Sequence, residues 1–97
     1  MGVLVNNDGF TLRGHAVLWS TVRAIVTYKH DLFTHDEICL AFKVSGDSWV
    51  EVSEDEPGFQ SLVDAVARRY STAPPDWFRA VMLPPFATNY RVLWAAA

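Results

Sequence analysis

Apolar and polar positions alternate with a period of two over residues 1–53 and with a period near 3.6 after them, which predicts strands first and a helix second. Residues 1–5 are a short apolar run. Asn6, Asn7, Asp8 and Gly9 follow, all of them turn formers, so the chain opens on a hairpin. Phe10-Thr11-Leu12-Arg13 alternates as a half-buried strand does, and Gly14 breaks it. Residues 15–19 form a further short strand or a bend. In residues 21–28, Val22, Ala24, Val26 and Tyr28 share one face, with Arg23, Ile25 and Thr27 on the other. Residues 29–35 are polar and read as a connection. Residues 37–44 are apolar on both faces, Ile38, Leu40, Phe42 and Val44 against Cys39 and Ala41, as befits a central strand covered on both sides. Ser45-Gly46-Asp47 is a turn. Residues 49–53 form a strand with Val50 and Val52 inward and Glu51 outward.

The helical period is clearest at Phe59, Leu62, Val63, Val66, Ala67 and Tyr70, and it predicts an amphipathic helix over residues 57–70. Pro57 suits the first helical position. Glu54, Asp55 and Glu56 stand near the positive end of the helix dipole, with Arg68 and Arg69 near the negative end. Asp64 is spaced to reach Arg68. A second, short helix is expected over residues 75–83, stopped by Pro84-Pro85, and residues 84–97 form a tail in which 90–94 read as a final strand or an apolar arm. The expected architecture is a single α+β domain: a bent antiparallel sheet or partial barrel packed against one amphipathic helix, with the short second helix near the C-terminus.

Composition supports a real core. Of 97 residues, 51% are hydrophobic and four are Trp, and each buried aromatic removes roughly 150–250 Å² from water. The net charge of −3 and the lack of a basic block argue against nucleic-acid binding. Cys39 is the only cysteine, so an intramolecular disulfide and a Cys-rich zinc site are excluded. Between Ile38 and Leu40 it reads as a buried small hydrophobe. No signal-peptide pattern is seen, and no apolar run approaches the ~20 residues of a membrane span. The expectation is a cytoplasmic protein without a transmembrane segment or a cofactor.

Chemistry-bearing residues concentrate in two places. His30-Asp31 and His35-Asp36 supply imidazole and carboxylate groups suited to a divalent metal. Their plainer reading is a polar hairpin connection. The second place is the aromatic, proline-rich C-terminal quarter, with Trp77, Phe78, Phe86, Tyr90 and Trp94. No nucleophile elbow or phosphate-cradling glycine loop is present.

Trp19-Ser20-Thr21-Val22-Arg23-Ala24-Ile25 resembles bacterial pleckstrin-homology-like domains, in which a Trp, a short polar residue and a β-branched residue open a strand after an N-terminal hairpin. The order of elements over residues 1–70 is similar to theirs. Tyr28-Lys29-His30-Asp31-Leu32-Phe33 and Asp76-Trp77-Phe78 also resemble stretches of small uncharacterised bacterial proteins. The resemblance implies a binding scaffold. The family's phosphoinositide loop is basic, whereas Asn6-Asn7-Asp8-Gly9 stands here, so phosphoinositide binding is not expected.

The leading expectation is a non-enzymatic interaction module for a protein partner or a second copy of the chain. Its contact residues would be Trp49 on an outer strand face, Lys29, His30 and Phe33 in the connection, and Trp94 in the tail. The alternatives are a small metal-dependent hydrolase using His30, Asp31, His35 and Asp36, an immunity- or antitoxin-like inhibitor, and a lipid or metabolite pocket at an open end of the sheet.

Overall fold

The structure, a computed structural model, describes residues 2–31, 36–70 and 90–96. Among them, seven strands form two antiparallel sheets that pack with one α-helix, and no closed barrel is formed. The α+β expectation holds.

The first sheet is a meander of β1 (Val3–Val5), β2 (Gly9–Leu12) and β3 (His15–Leu18), in that order. Its first turn is set by Asn6, whose Oδ1 accepts the backbone N–H groups of Asp8 and Gly9 at 2.8 and 3.0 Å. The second is a two-residue turn at Arg13 and Gly14, with φ of 51° and 84°. Two positive φ values match the right-handed twist of the flanking strands. A 3₁₀ turn at Trp19–Thr21 leads into the second sheet.

The second sheet runs β6-β5-β4-β7, with β4 (Ala24–Asp31), β5 (Asp36–Val44), β6 (Ser48–Ser53) and β7 (Arg91–Ala95). As expected, β5 is a central strand, and Ile38, Cys39, Leu40, Ala41 and Phe42, from both of its faces, are all buried; among them only Ile38, Leu40 and Phe42 belong to the core shared with the helix and the first sheet. The expected connection over residues 29–35 is corrected. Strand β4 continues through Lys29 and His30 to Asp31, paired with Asp36. Alternating side chains keep the pleat going, and the partner strand supplies the hydrogen bonds that local polarity did not foretell. Residues 90–94, expected as a strand or an arm, contribute to an edge strand on β4. A bulge lies between Ile25 and Val26: Ile25 faces Trp94 and Val26 faces Val92, which leaves Leu93 as the extra residue, buried in the core.

Helix α1 spans Phe59–Arg69, two residues later at its start than expected. Gly58 precedes it in the left-handed conformation, φ 88°, and a Cβ there would lie 2.2 Å from the Val3 carbonyl oxygen. Pro57 does not open the helix; its carbonyl accepts the N–H of Val3 at 2.7 Å and ties the loop to β1. The acidic run is used elsewhere as well. Glu54 Oε1 accepts the Ile38 N–H at 2.9 Å, and Glu56 pairs with Arg13. Asp64 accepts a hydrogen bond from Gln60 at 3.2 Å. Arg69 donates to the Asn7 carbonyl and lies over the Trp19 ring, 5.1 Å from its centroid.

Phe59, Leu62, Ala65 and Val66 of α1 enter one core with Phe10, Trp19, Ile25, Leu40, Phe42 and Val52. Val63, expected in that row, is half-buried at its margin. An aromatic path joins the layers, with ring centroids 4.9 Å apart for Phe42 and Phe10, 5.5 Å for Phe10 and Trp19, 6.2 Å for Trp19 and Tyr70, and 4.6 Å for Tyr70 and Trp94. The expected helix over 75–83 lies outside the described residues, as do Phe33 and His35 and the side chains of Asp31 and Asp36.

Candidate functional site

Because side chains alternate along a strand, each strand of the second sheet sends one row to the core and one to the opposite face. The core row of β4 carries Ile25, Thr27 and Lys29, opposite Phe42, Leu40 and Ile38. The outer row carries Val26, Tyr28 and His30. Facing them on β5 are Ala41, Cys39 and Glu37, and β6 adds Trp49, Glu51 and Ser53.

The outer face has an open trough of about 250 Å³. Val26 and Ala41, both buried, make its floor, and Tyr28, Trp49, Glu51 and Tyr90 stand around it. The Tyr28 and Tyr90 rings stack at 6.2 Å with an interplanar angle of 8°. Trp49, Tyr90 and the neighbouring Val92 are 50%, 58% and 53% exposed, a concentration of apolar surface facing solvent.

One end of the trough is polar. The Tyr28 hydroxyl donates to Glu51 Oε2, and His30 Nε2 lies 3.4 Å from the same oxygen. The Tyr28 and His30 rings meet edge to face, 5.3 Å between centroids. Cys39 lies buried beneath them. Its Sγ, a ring nitrogen of His30 and a carboxylate oxygen of Glu51 all lie within 4.8 Å of one another. Glu37 Oε1 is 3.8 Å from the sulfur.

These surroundings decide what the thiol does unaided. Burial pushes it up to about 12, and the carboxylates of Glu51 and Glu37 add to the effect by disfavouring a nearby anion. At neutral pH Cys39 is therefore a thiol, and a cysteine nucleophile activated by His30 is not what this arrangement supplies. Tyr28 is likewise raised, by burial first and then by its hydrogen bond to the Glu51 carboxylate.

Trp49 stands on the outer face as the alternation predicts. His30 is exposed on the same face, but its observed neighbours are Glu51 and Cys39. Lys29, expected at the surface of a connection, is 3% exposed on the core-facing row of β4. Trp94 is half-buried against Tyr70. Sequence reasoning does not mark Tyr28, Cys39 or Glu51 as site residues, and it names Tyr90 only among the aromatics of the C-terminal quarter. The outward signal at Glu51 and the shared face of Val26 and Tyr28 were present; the register that joins them was not. No helix among the described residues is long and apolar enough to cross a membrane. Comparison with protein-family models, curated proteins and solved structures finds no match for this chain.

Proposed function

We propose that the protein is a non-enzymatic binding module that recognises a protein partner through the outer face of its four-stranded sheet. The observation that carries this is the open trough, walled by Trp49, Tyr28 and Tyr90 over Val26 and Ala41. Large, stiff aromatic side chains at a solvent-facing site are the groups on which interface energy concentrates. The trough's volume of about 250 Å³ falls below the roughly 300–1,000 Å³ of small-molecule pockets. That favours one apolar side chain of a partner over a metabolite or lipid. The carboxylates of Glu51 and Glu37 at the polar end favour a cationic residue next to it. An immunity- or antitoxin-like inhibitor is the special case in which the partner is an enzyme or toxin. Two antiparallel sheets packed on one helix are compatible with a pleckstrin-homology-like scaffold for this role, although β7 follows the helix.

Selection of random displayed peptides on the immobilised full chain tests the reading. The expected ligands pair a large apolar residue with a nearby Lys or Arg. They bind the Trp49→Ala variant at least about tenfold more weakly, as loss of an aromatic anchor requires. Ligands that bind the variant as tightly as the parent would refute the trough as the recognition surface. A dimer mass in light scattering that Trp49→Ala converts to a monomer would make the occupant a second copy of the chain.

A further inference from the structure

We propose that His30, Cys39 and Glu51 form a binding site for zinc or a similarly thiophilic divalent ion. The site shares Glu51 and Tyr28 with the polar end of the trough, but it does not rest on partner recognition and is tested with metal ions alone.

The three residues lie on adjacent strands β4, β5 and β6, so hydrogen-bonded pairing holds their backbones in place. Zinc binds sulfur at about 2.3 Å and nitrogen or oxygen at about 2.0–2.2 Å, which puts neighbouring tetrahedral donors roughly 3.3–3.7 Å apart. The separation of His30 Nε2 and Glu51 Oε2, 3.4 Å, already has that value. Every pair among the three donors lies within 4.8 Å, so the largest adjustment needed is about 1 Å. The side chains that must move are the accessible ones: those of His30 and Glu51 are 47% and 48% exposed. Cys39 stays fixed below, within reach of both.

The chemistry of the donors selects the ion. A thiolate with an imidazole and a carboxylate suits zinc or cobalt and disfavours calcium and magnesium, which take oxygen donors. Binding replaces the Cys39 S–H bond with a sulfur–metal bond and releases that proton to solvent. His30 binds through a lone pair of the neutral ring, and Glu51 binds as its carboxylate. The two anionic ligands balance the two positive charges of the ion, and the fourth tetrahedral position is left to a water. The Tyr28 hydroxyl, which donates to Glu51, orients the carboxylate from outside the ligand set. Without the ion, the same carboxylates that would share it disfavour the thiolate; the ion reverses the sign of that interaction.

The test is titration of metal-free full-length protein with Co²⁺, read by absorption, followed by competition with Zn²⁺. The expected result is one ion per chain, with a thiolate-to-cobalt charge-transfer band and tetrahedral d–d bands that Zn²⁺ abolishes and Ca²⁺ does not. Cys39→Ser should lose the charge-transfer band. His30→Gln and Glu51→Gln change exposed side chains and should keep the fold while weakening Zn²⁺ binding by about 100-fold or more, beyond the loss usual for an outer-shell partner. Absence of a charge-transfer band with saturating Co²⁺ overturns the proposal. So does Zn²⁺ affinity that is unchanged in both folded variants, whatever Cys39→Ser does.

Discussion

Replacing Leu62 with Ala removes three carbon atoms from the largest fully buried side chain of α1. Leu62 is fully buried beside Val66 and Phe59 in the cluster that joins helix and sheets. Each buried methylene contributes about 0.8 kcal/mol, so the transfer loss is roughly 2.4 kcal/mol. The cavity left behind adds to this at about 24 cal/mol per Å³, and the measured range for such substitutions is about 2–5 kcal/mol. Ala is a slightly better helix former than Leu, which returns only a few tenths. The expected net loss is about 3 kcal/mol. Urea unfolding followed by Trp fluorescence reads it directly. For a slope of about 1–3 kcal/mol per M, the midpoint should fall by roughly 1–3 M with the slope unchanged. Gln60→Ala, on the exposed side of the same helix, should stay within about 0.5 kcal/mol of the parent. A Leu62→Ala loss below about 1 kcal/mol, at unchanged slope, would refute the packing of α1 against the sheets.

Two further outcomes follow from backbone geometry and from burial. Gly58→Ala should destabilise the protein more than Gly14→Ala, because both have positive φ but only Gly58 would press a Cβ against backbone, the Val3 carbonyl. Urea midpoints rank the two, and the Gly58 loss should exceed about 1 kcal/mol; equal losses would show that the contact with β1 has no energetic weight. The Cys39 thiol, 9.0 in an ordinary setting and about 12 in the fold, is neutral in the native state. Its raised value means that the native state holds the proton longer than the unfolded chain does. This contribution to stability is complete below pH 9 and is lost as pH rises through about 12, with Tyr28 acting in the same direction. Native protein at pH 8 should therefore react with a disulfide reagent far more slowly than urea-unfolded protein; equal rates would contradict the buried, carboxylate-flanked thiol.

Much of the fold is visible in local patterns. The apolar run from Ile38 to Phe42 marks a strand buried on both faces, and the spacing of Phe59, Leu62 and Val66 marks the buried stripe of α1. Asn6 and Gly14 mark turns, because short side chains that bond nearby backbone, or no side chain at all, serve there. The polarity of residues 29–35 misleads, since a strand paired with β5 as far as Asp31 can carry Lys29 in its inner row and His30 in its outer row without losing a bond of that ladder. The start of α1 shifts because Gly58 and Pro57 are claimed by backbone contact with β1, a residue pair distant in sequence.

By itself the sequence determined which residues pair into helix stripe and strand face, because a period of 3.6 or two is a property of one segment and needs no partner. It also determined that Trp49 and Glu51 share one face of their strand and Tyr28 and Val26 share one face of theirs. Only the tertiary structure decided that these faces coincide. Cross-strand register places His30, Cys39 and Glu51 around one point and puts Val26 beside Ala41 beneath Tyr90. Register depends on turn geometry and on the packing of the whole inner row against α1 and the first sheet, and a slip of one residue would send each of these side chains to the other face.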